Sequence, residues 1–403
     1  MTTAASATTR PARGISQRVQ GFTESVIREM TRLAMEHNAI NLAQGFPDFP
    51  APGFIKEAAA AAIAADINQY SVTWGDPALR QAIAAKYQRW YGLPVEPDAH
   101  VTVCCGSTEA MISTLIAVLN PGDETVIFEP FYENYGPDSI LSGAAPRFVP
   151  LRPGANGWSF DRGELRAAFN DRTRAIILNT PNNPTGKVFS RAELEYIRDL
   201  CLEWDCIAIT DEIYEHIIFD GRPHVPLAGL EGMAERTVTI SGISKTFSVT
   251  GWRVGWAIAP GRLAGGIRKV HDFLTVGAPA PLQIAAARAI ETGDEYCRGL
   301  AAAYTRRRAR ILPQLQAAGF RCAWPEGAYY VLADCAPFLA ARGPDDVAFA
   351  RWLTAEIGVA CVPGSSFYHR AGDGADQVRF CFSKQDPTLD EAARRLATVT
   401  AKA

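Results

Sequence analysis

The 403-residue sequence contains no apolar run long enough to cross a bilayer. The longest runs, such as Ala58 to Ala65, fall far short of the ~20 residues a spanning helix needs. There is no basic block either: 40 lysines and arginines stand against 43 acids, a net charge of −3, which argues against a nucleic-acid partner. Nine cysteines occur without a C-x-x-C pair, and six histidines without ligand spacing, since His216 and His224 are separated by a strand and a turn pattern. No metal site is therefore expected. Scattered cysteines of this kind fit free thiols in a reducing compartment, hence the cytoplasm. Internal repeats and low-complexity linkers are missing, so no solenoid is expected. The first residues carry two arginines but no apolar core, which excludes a secretory signal. Residues 1–14 are expected to form a disordered tail, with a transit peptide as the second reading.

What is present points to two domains, because a chain of this length exceeds one typical core. Asp76-Pro77 combines an N-cap with Pro at the first helical position and opens a helix through Tyr87. From there strands and helices alternate. Strands are expected over 101–105, 123–128, 147–151, 174–178, 206–210 and 236–240, with helices over 107–119 and 190–204. Continuous apolar strands separated by helices argue for a parallel sheet covered on both faces. After Gly293 a long Arg/Ala-rich helix runs to about Ala317, followed by short strands at 328–332 and 378–382. The expected division is 15–50 joining a small α+β domain formed by 294–403, and 51–293 as a large domain.

In such a sheet, ligands sit at the carboxyl ends of the strands. Gly106-Ser107-Thr108 follows a strand and opens a helix, an arrangement suited to a phosphate; ordinary helix capping by Ser or Thr competes with that reading. Asn179-Thr180-Pro181-Asn182-Asn183-Pro184-Thr185-Gly186 follows another strand, where Asn183 has a side chain to donate, although a plain turn would show the same residues. Asp211-Glu212-Ile213-Tyr214 follows a third. A buried acid there needs a partner, and N-capping by Asp211 is the alternative. The most telling stretch is Ser244-Lys245-Thr246-Phe247-Ser248-Val249-Thr250-Gly251-Trp252-Arg253-Val254-Gly255. It sets a lysine after a strand and an arginine eight residues on, amid small residues. A lysine so placed can form a Schiff base, and an arginine can hold a phosphate as a fork; pyridoxal 5′-phosphate (PLP) requires both.

In this order, N-P-T-G, D-E-I-Y and S-K-T-F-x-x-x-G-W-R-x-G resemble the class I/II aminotransferases of PLP fold type I, a likeness running from Asn41 to the C-terminus. The resemblance implies an α/β fold, with a mostly parallel seven-stranded sheet between helices in the large domain. It implies PLP as cofactor and a homodimer with shared sites. Lys245 then matches the Schiff-base lysine and proton carrier. Asp211 matches the partner of the ring nitrogen, and Tyr214 and Asn183 the donors to the phenolate oxygen. Arg253, Ser107 and Thr108 match the phosphate ligands, and Tyr132 the aromatic that stacks on the ring. Arg379 matches the clamp on the substrate carboxylate, which Gly45 and Asn183 also meet. Tyr70 matches a tyrosine reaching the neighbouring subunit's phosphate. Three residues before the lysine stands Gly242, so no serine ligand is assigned on that loop.

Gly45-Phe46-Pro47-Asp48-Phe49-Pro50 and Pro325-Glu326-Gly327-Ala328-Tyr329-Tyr330 are similar to the kynurenine/glutamine/methionine aminotransferase group. Where that group often lines its pocket with aromatic or His residues, this chain has Ile27, Val276 and Gly277. No second arginine matches a clamp for a side-chain carboxylate. The implied reaction is amino transfer from an L-amino acid to a 2-oxo acid, 2-oxoglutarate foremost, by a ping-pong mechanism. A cysteine-conjugate C–S β-lyase on the same scaffold is the alternative. A PLP-binding transcription regulator is a further one, which the short segment before Asn41 disfavours.

Overall fold

The structure, a computed structural model, describes residues 14–399 apart from 21, 23, 155 and 156. The tail expected over 1–14 lies, except for Gly14, outside the described residues. Thirteen strands form three sheets among the described residues. β1 (Ile40–Asn41) belongs to the N-terminal segment. β2 (Val101–Cys104), β3 (Glu124–Glu129), β4 (Ala145–Gly154), β5 (Gly157–Phe160), β6 (Thr173–Asn179), β7 (Ile207–Asp211), β8 (Thr237–Gly242) and β9 (Gly255–Ile258) form one sheet, in the order β2-β9-β8-β7-β6-β3-β4-β5. β10 (Tyr330–Asp334) and β12 (Val362–Pro363) flank β13 (Gln377–Cys381) in an antiparallel sheet. β11 (Val359–Ala360) pairs in parallel with β1, so the N-terminal segment is tied to the C-terminal part.

The large sheet has eight strands where seven were expected. The addition, β5, folds back on β4 as a short antiparallel edge. β8, β7, β6, β3 and β4 are mutually parallel, and β9 runs against its neighbours β8 and β2. Strands β3, β7 and β8 are buried along their whole length, because helices cover both faces and leave no polar side to the pattern. Local chemistry sets the helices. Asp76 accepts the Ala78 N–H and starts the helix Pro77–Tyr91, which runs a turn past the expected Tyr87 and stops at Gly92 in the left-handed region. Ser190 and Glu193 form a reciprocal capping box on Arg191–Glu203. No helix among the described residues is long and apolar enough to cross a membrane.

This topology aligns the carboxyl ends of β2, β3, β6, β7 and β8 along one edge, and the segment entering β9 arrives at the same edge. Beneath it, polar side chains are buried in a satisfied network. The Lys86 ammonium lies 2.5 Å from Glu215, which also accepts from Tyr91 (2.5 Å) and Ser241 (2.7 Å). Burial would raise the Glu215 carboxyl, but Lys86, with His216 and His224, holds it far below the ordinary carboxylate range. Lys86→Met removes one side of a buried pair and strands the carboxylate. It should lower stability by about 3–5 kcal/mol, read by urea unfolding; a loss below ~1 kcal/mol would show that the pair is not what supports this layer.

Candidate active site

The strand ends build the site in sequence order. β2 leads through Gly106 (φ +84°) into the helix Ser107–Val118, whose start has no side-chain cap. Ser107 and Thr108 are thus not spent on capping, and the first-turn N–H groups remain open to an anion. Two glycines make this turn sterically feasible. A Cβ at Gly106 would stand 2.3 Å from the Arg253 guanidinium, and one at Gly255 would stand 2.5 Å from the Ser107 nitrogen. Arg253, itself left-handed at φ +54°, donates to the Thr250 carbonyl (2.9 Å) and the Cys105 carbonyl (3.4 Å). The result is a cup of N–H groups, hydroxyls and one guanidinium.

Asp211 ends β7 with no helix after it, so it caps none. Its carboxylate accepts from the Tyr135 hydroxyl (2.7 Å) and the Ile213 N–H (3.2 Å). Burial raises its pKa, with Tyr135 opposing. Lys245 donates to the Gly45 carbonyl at 3.1 Å, and the Tyr329 hydroxyl meets that same oxygen at 3.0 Å. Burial pulls the Lys245 amine down to about 8, and Arg379 and Arg253 add to the fall against Cys381 and Asp211. Each group is therefore pushed toward its neutral form. The Tyr214 hydroxyl pairs with that of Tyr330 at 3.1 Å. A Cβ at Gly45 would overlap the Tyr330 hydroxyl, at 1.8 Å, so only glycine fits there.

Arg379, on β13, is 1% exposed. It donates to Asn183 Oδ1 (2.8 Å) and the Ala43 carbonyl (2.7 Å), and stacks on Tyr330 and Phe367. Its Nε is buried without a partner. Asn183 is held in turn by its N–H to Asn179 Oδ1 (2.7 Å), and its bond to Arg379 uses the amide oxygen, leaving the donor end unspent on that contact. One cavity of about 340 Å³ is lined by Gly45, Ser107, Thr108, Tyr132, Asn183, Asp211, Tyr214, Lys245, Arg253 and Arg379. Of the residues singled out by sequence for the site, Tyr70 stands outside it, 86% exposed; Ile27 lines it, but Val276 and Gly277, expected at the same pocket, do not.

Several lining residues were not anticipated. Tyr135 anchors Asp211, and its only signal was its place three residues after Tyr132. Ser244 lines the cavity, whereas Ser241 turns to Glu215. Ser25, Arg28 and Glu133 stand at the cavity with Ile27, and Ser25 donates to Glu133 at 2.8 Å. They belong to a helix start and a strand-end loop with no motif of their own.

The family model described as aminotransferase class I and II matches residues 37–396. The chain belongs to the class I and II aminotransferases. It is 36% identical to human kynurenine–oxoglutarate transaminase 1 over 94% of this chain and 97% of that protein. The solved structure of N-succinyldiaminopimelate aminotransferase from Mycobacterium tuberculosis superposes with a TM-score of 0.92 at 40% identity, covering 96% of this chain and all of that one. YbdL from Escherichia coli, for which a methionine aminotransferase function is described, superposes at 0.90 with 36% identity over 96% and 100%. The expected likeness to the kynurenine and methionine enzymes holds, and the succinyldiaminopimelate enzyme is a relative that the motifs did not suggest.

Aminotransferases of this family are PLP-dependent, and this site suits the cofactor on its own chemistry. The glycine-walled cup fits a phosphate, Lys245 supplies an amine, and the buried Asp211 carboxyl has only a phenol and an amide opposite it, which leaves room for a cationic ring nitrogen. A lysine depressed to about 8 is substantially neutral near that pH. PLP capture by cofactor-free protein should therefore speed up with rising pH and level off above about 8, measured by stopped-flow absorbance. A rate still climbing toward pH ~10, as for an ordinary lysine, would contradict the burial argument.

Proposed function

We propose that this aminotransferase moves the amino group of an L-amino acid to 2-oxoglutarate in a ping-pong sequence, both substrates using one cavity in turn. The observation that carries the reading is the convergence of Lys245, Asp211, Asn183, Tyr214, Arg253 and Arg379 on that cavity. When bound, PLP supplies an aldehyde that takes up the substrate amine and a protonated ring that accepts the electron pair of the broken Cα–H bond. Lys245 anchors the cofactor and, once released, carries the proton away from the substrate Cα. Asp211, raised by burial, keeps the ring nitrogen protonated once a cation stands opposite it. Tyr214 and Asn183 would donate to the phenolate oxygen, and Tyr132 would cover the ring. Ser107, Thr108 and Arg253 hold the phosphate. Arg379 takes the α-carboxylate beside Asn183 and Gly45.

Three arginines line the cavity. With Arg253 at the cup and Arg379 on the α-carboxylate, Arg28 remains for a second carboxylate. This supports a dicarboxylic acceptor, as does the name of the human kynurenine–oxoglutarate relative. The names of the relatives point to different donors, so the donor is to be found by screening. The same reading makes the protein a homodimer. Tyr70, Val72, Phe273, Leu274 and Val276 are exposed, and the bond from His271 to the Thr73 carbonyl brings their two segments together. Apolar exposure of this kind is what an interaction surface would show, and it supports the reading that Tyr70 serves the neighbouring subunit's site. We also read 15–50 with 294–403 as a small domain beside 51–293. The nine unpaired cysteines support a cytoplasmic location, which cell fractionation checks.

Lys245→Ala should fold normally, lose the yellow of bound cofactor and abolish glutamate formation from 2-oxoglutarate. Turnover at the native rate would reject the assignment. Arg28→Ala should raise KM for 2-oxoglutarate roughly fivefold, from ~1 kcal/mol for an accessible ion pair, with little change for a monocarboxylic 2-oxo acid. An equal effect on both acceptors would place the second carboxylate elsewhere.

A further inference from the structure

Behind the phosphate cup lies a buried pair that the family motifs do not include. Glu109, in the first turn of Ser107–Val118, accepts the Cys105 N–H (2.9 Å) and the Ser113 hydroxyl (2.5 Å). The first of these bonds fixes the peptide that enters the cup, and the carbonyl of that same residue faces Arg253. His271, in the helix Gly261–Leu274, is completely buried. Its Nδ1 lies 3.0 Å from both Glu109 oxygens, and its Nε2 lies 2.8 Å from the Thr73 carbonyl.

The charge of this pair follows from its geometry. A backbone carbonyl and an ionised carboxylate are acceptors only, so an imidazole between them satisfies both only when both ring nitrogens carry protons. Thr275 Oγ1, 3.2 Å from Nδ1, can accept as well. Burial opposes the imidazolium, but Glu109 lifts His271 above its ordinary pKa; burial likewise opposes the Glu109 charge, yet His271 and its other donors hold that carboxyl below its usual range. Cys104 also comes within 4.8 Å of the pair. The His and Glu atoms there are already hydrogen-bonded to one another, so the trio reads as a structural unit and not as a metal site.

A bare carboxylate one turn behind a phosphate dianion would repel it. We propose that His271 is a positioning residue for the cofactor phosphate: its imidazolium neutralises Glu109, so that this carboxylate locks the Cys105–Ser107 turn without repelling the anion bound in front of it. The inference rests on the reading of Gly106, Ser107, Thr108 and Arg253 as the phosphate cup.

The test is an absorbance titration of the full-length cofactor-free protein with PLP and with pyridoxal, which shares the aldehyde and ring but has no phosphate. His271→Gln should weaken PLP binding at least tenfold while pyridoxal stays within twofold. Adding Glu109→Gln to His271→Gln should recover most of that loss, because the uncompensated charge is then gone. Equal losses for both ligands, or an unchanged PLP affinity, overturns the proposal. If the unsubstituted protein binds neither ligand, the cofactor-site reading falls and takes this inference with it. Should His271→Gln fail to fold, the unsubstituted protein labelled with nitrogen-15 histidine decides the matter. Two protonated ring nitrogens on His271 at neutral pH are expected, and a single one overturns the proposal.

Discussion

The buried guanidinium of Arg379 ties three distant parts of the chain together. It reaches the Ala43 carbonyl in the N-terminal loop and the Asn183 side chain at the end of β6, while itself sitting on β13. A buried charge is tolerated only with partners, and here two hydrogen bonds and two aromatic faces supply most of what water would. They do not supply all of it, since Nε is left without an acceptor. The guanidinium stands where three segments meet, and Arg379 lines the cavity there.

A similar incompleteness marks the other end of the cavity. Asp211 and Lys245 are each moved by burial toward neutrality, and among the described residues neither has an ion-pair partner. Asp211 accepts from the Tyr135 phenol and a backbone N–H, and Lys245 donates to a carbonyl. Such a pair, with environments that shift its members in opposite directions, is the pattern expected where an acid and an amine await a ligand that completes them. The layer below is the reverse case. Lys86, Glu215, Tyr91 and Ser241 bond to one another, and Glu212 takes bonds from His224 Nε2 and Thr210. A densely bonded polar layer thus lies beneath the site.

The glycines of the motifs acquire their reasons from the same packing. Gly255 is required because the turn into the Ser107 helix lies against β9, and Gly106 because its φ of +84° lies in the left-handed region. At Gly242, three residues before the lysine, a Cβ would stand 2.9 Å from the Val254 carbonyl oxygen and 3.0 Å from the Gly255 Cα. The lysine loop is thereby drawn close to β9, and Ser244 takes up the cavity wall.

Much of this was legible in the chain itself. Mostly apolar strands such as 174–178 and 206–210 announce a doubly covered parallel sheet, because neither alternates a polar face toward water. Asp76 and Ser190 mark helix starts through backbone bonding that depends only on near neighbours, whereas the stop at Gly92 was not read. The ordered motifs singled out Lys245, Asp211 and Asn183 in segments that follow strands, and the resemblance singled out Arg379 within a strand. Other features had no local signature. β5 is a four-residue edge strand whose pairing needs β4 beside it. Tyr135 matters only because Asp211, 76 residues away, turns toward it. Arg28 reads as an ordinary helix-surface charge until the fold sets it at the cavity, and His271 reads as a lone histidine until Glu109 and Thr73 enclose it. Periodicities, caps and reactive groups are short-range properties, written in the order of the residues. Which groups face one another, and with what charge, emerges in the folded molecule, because burial and long-range contact set the electrostatics.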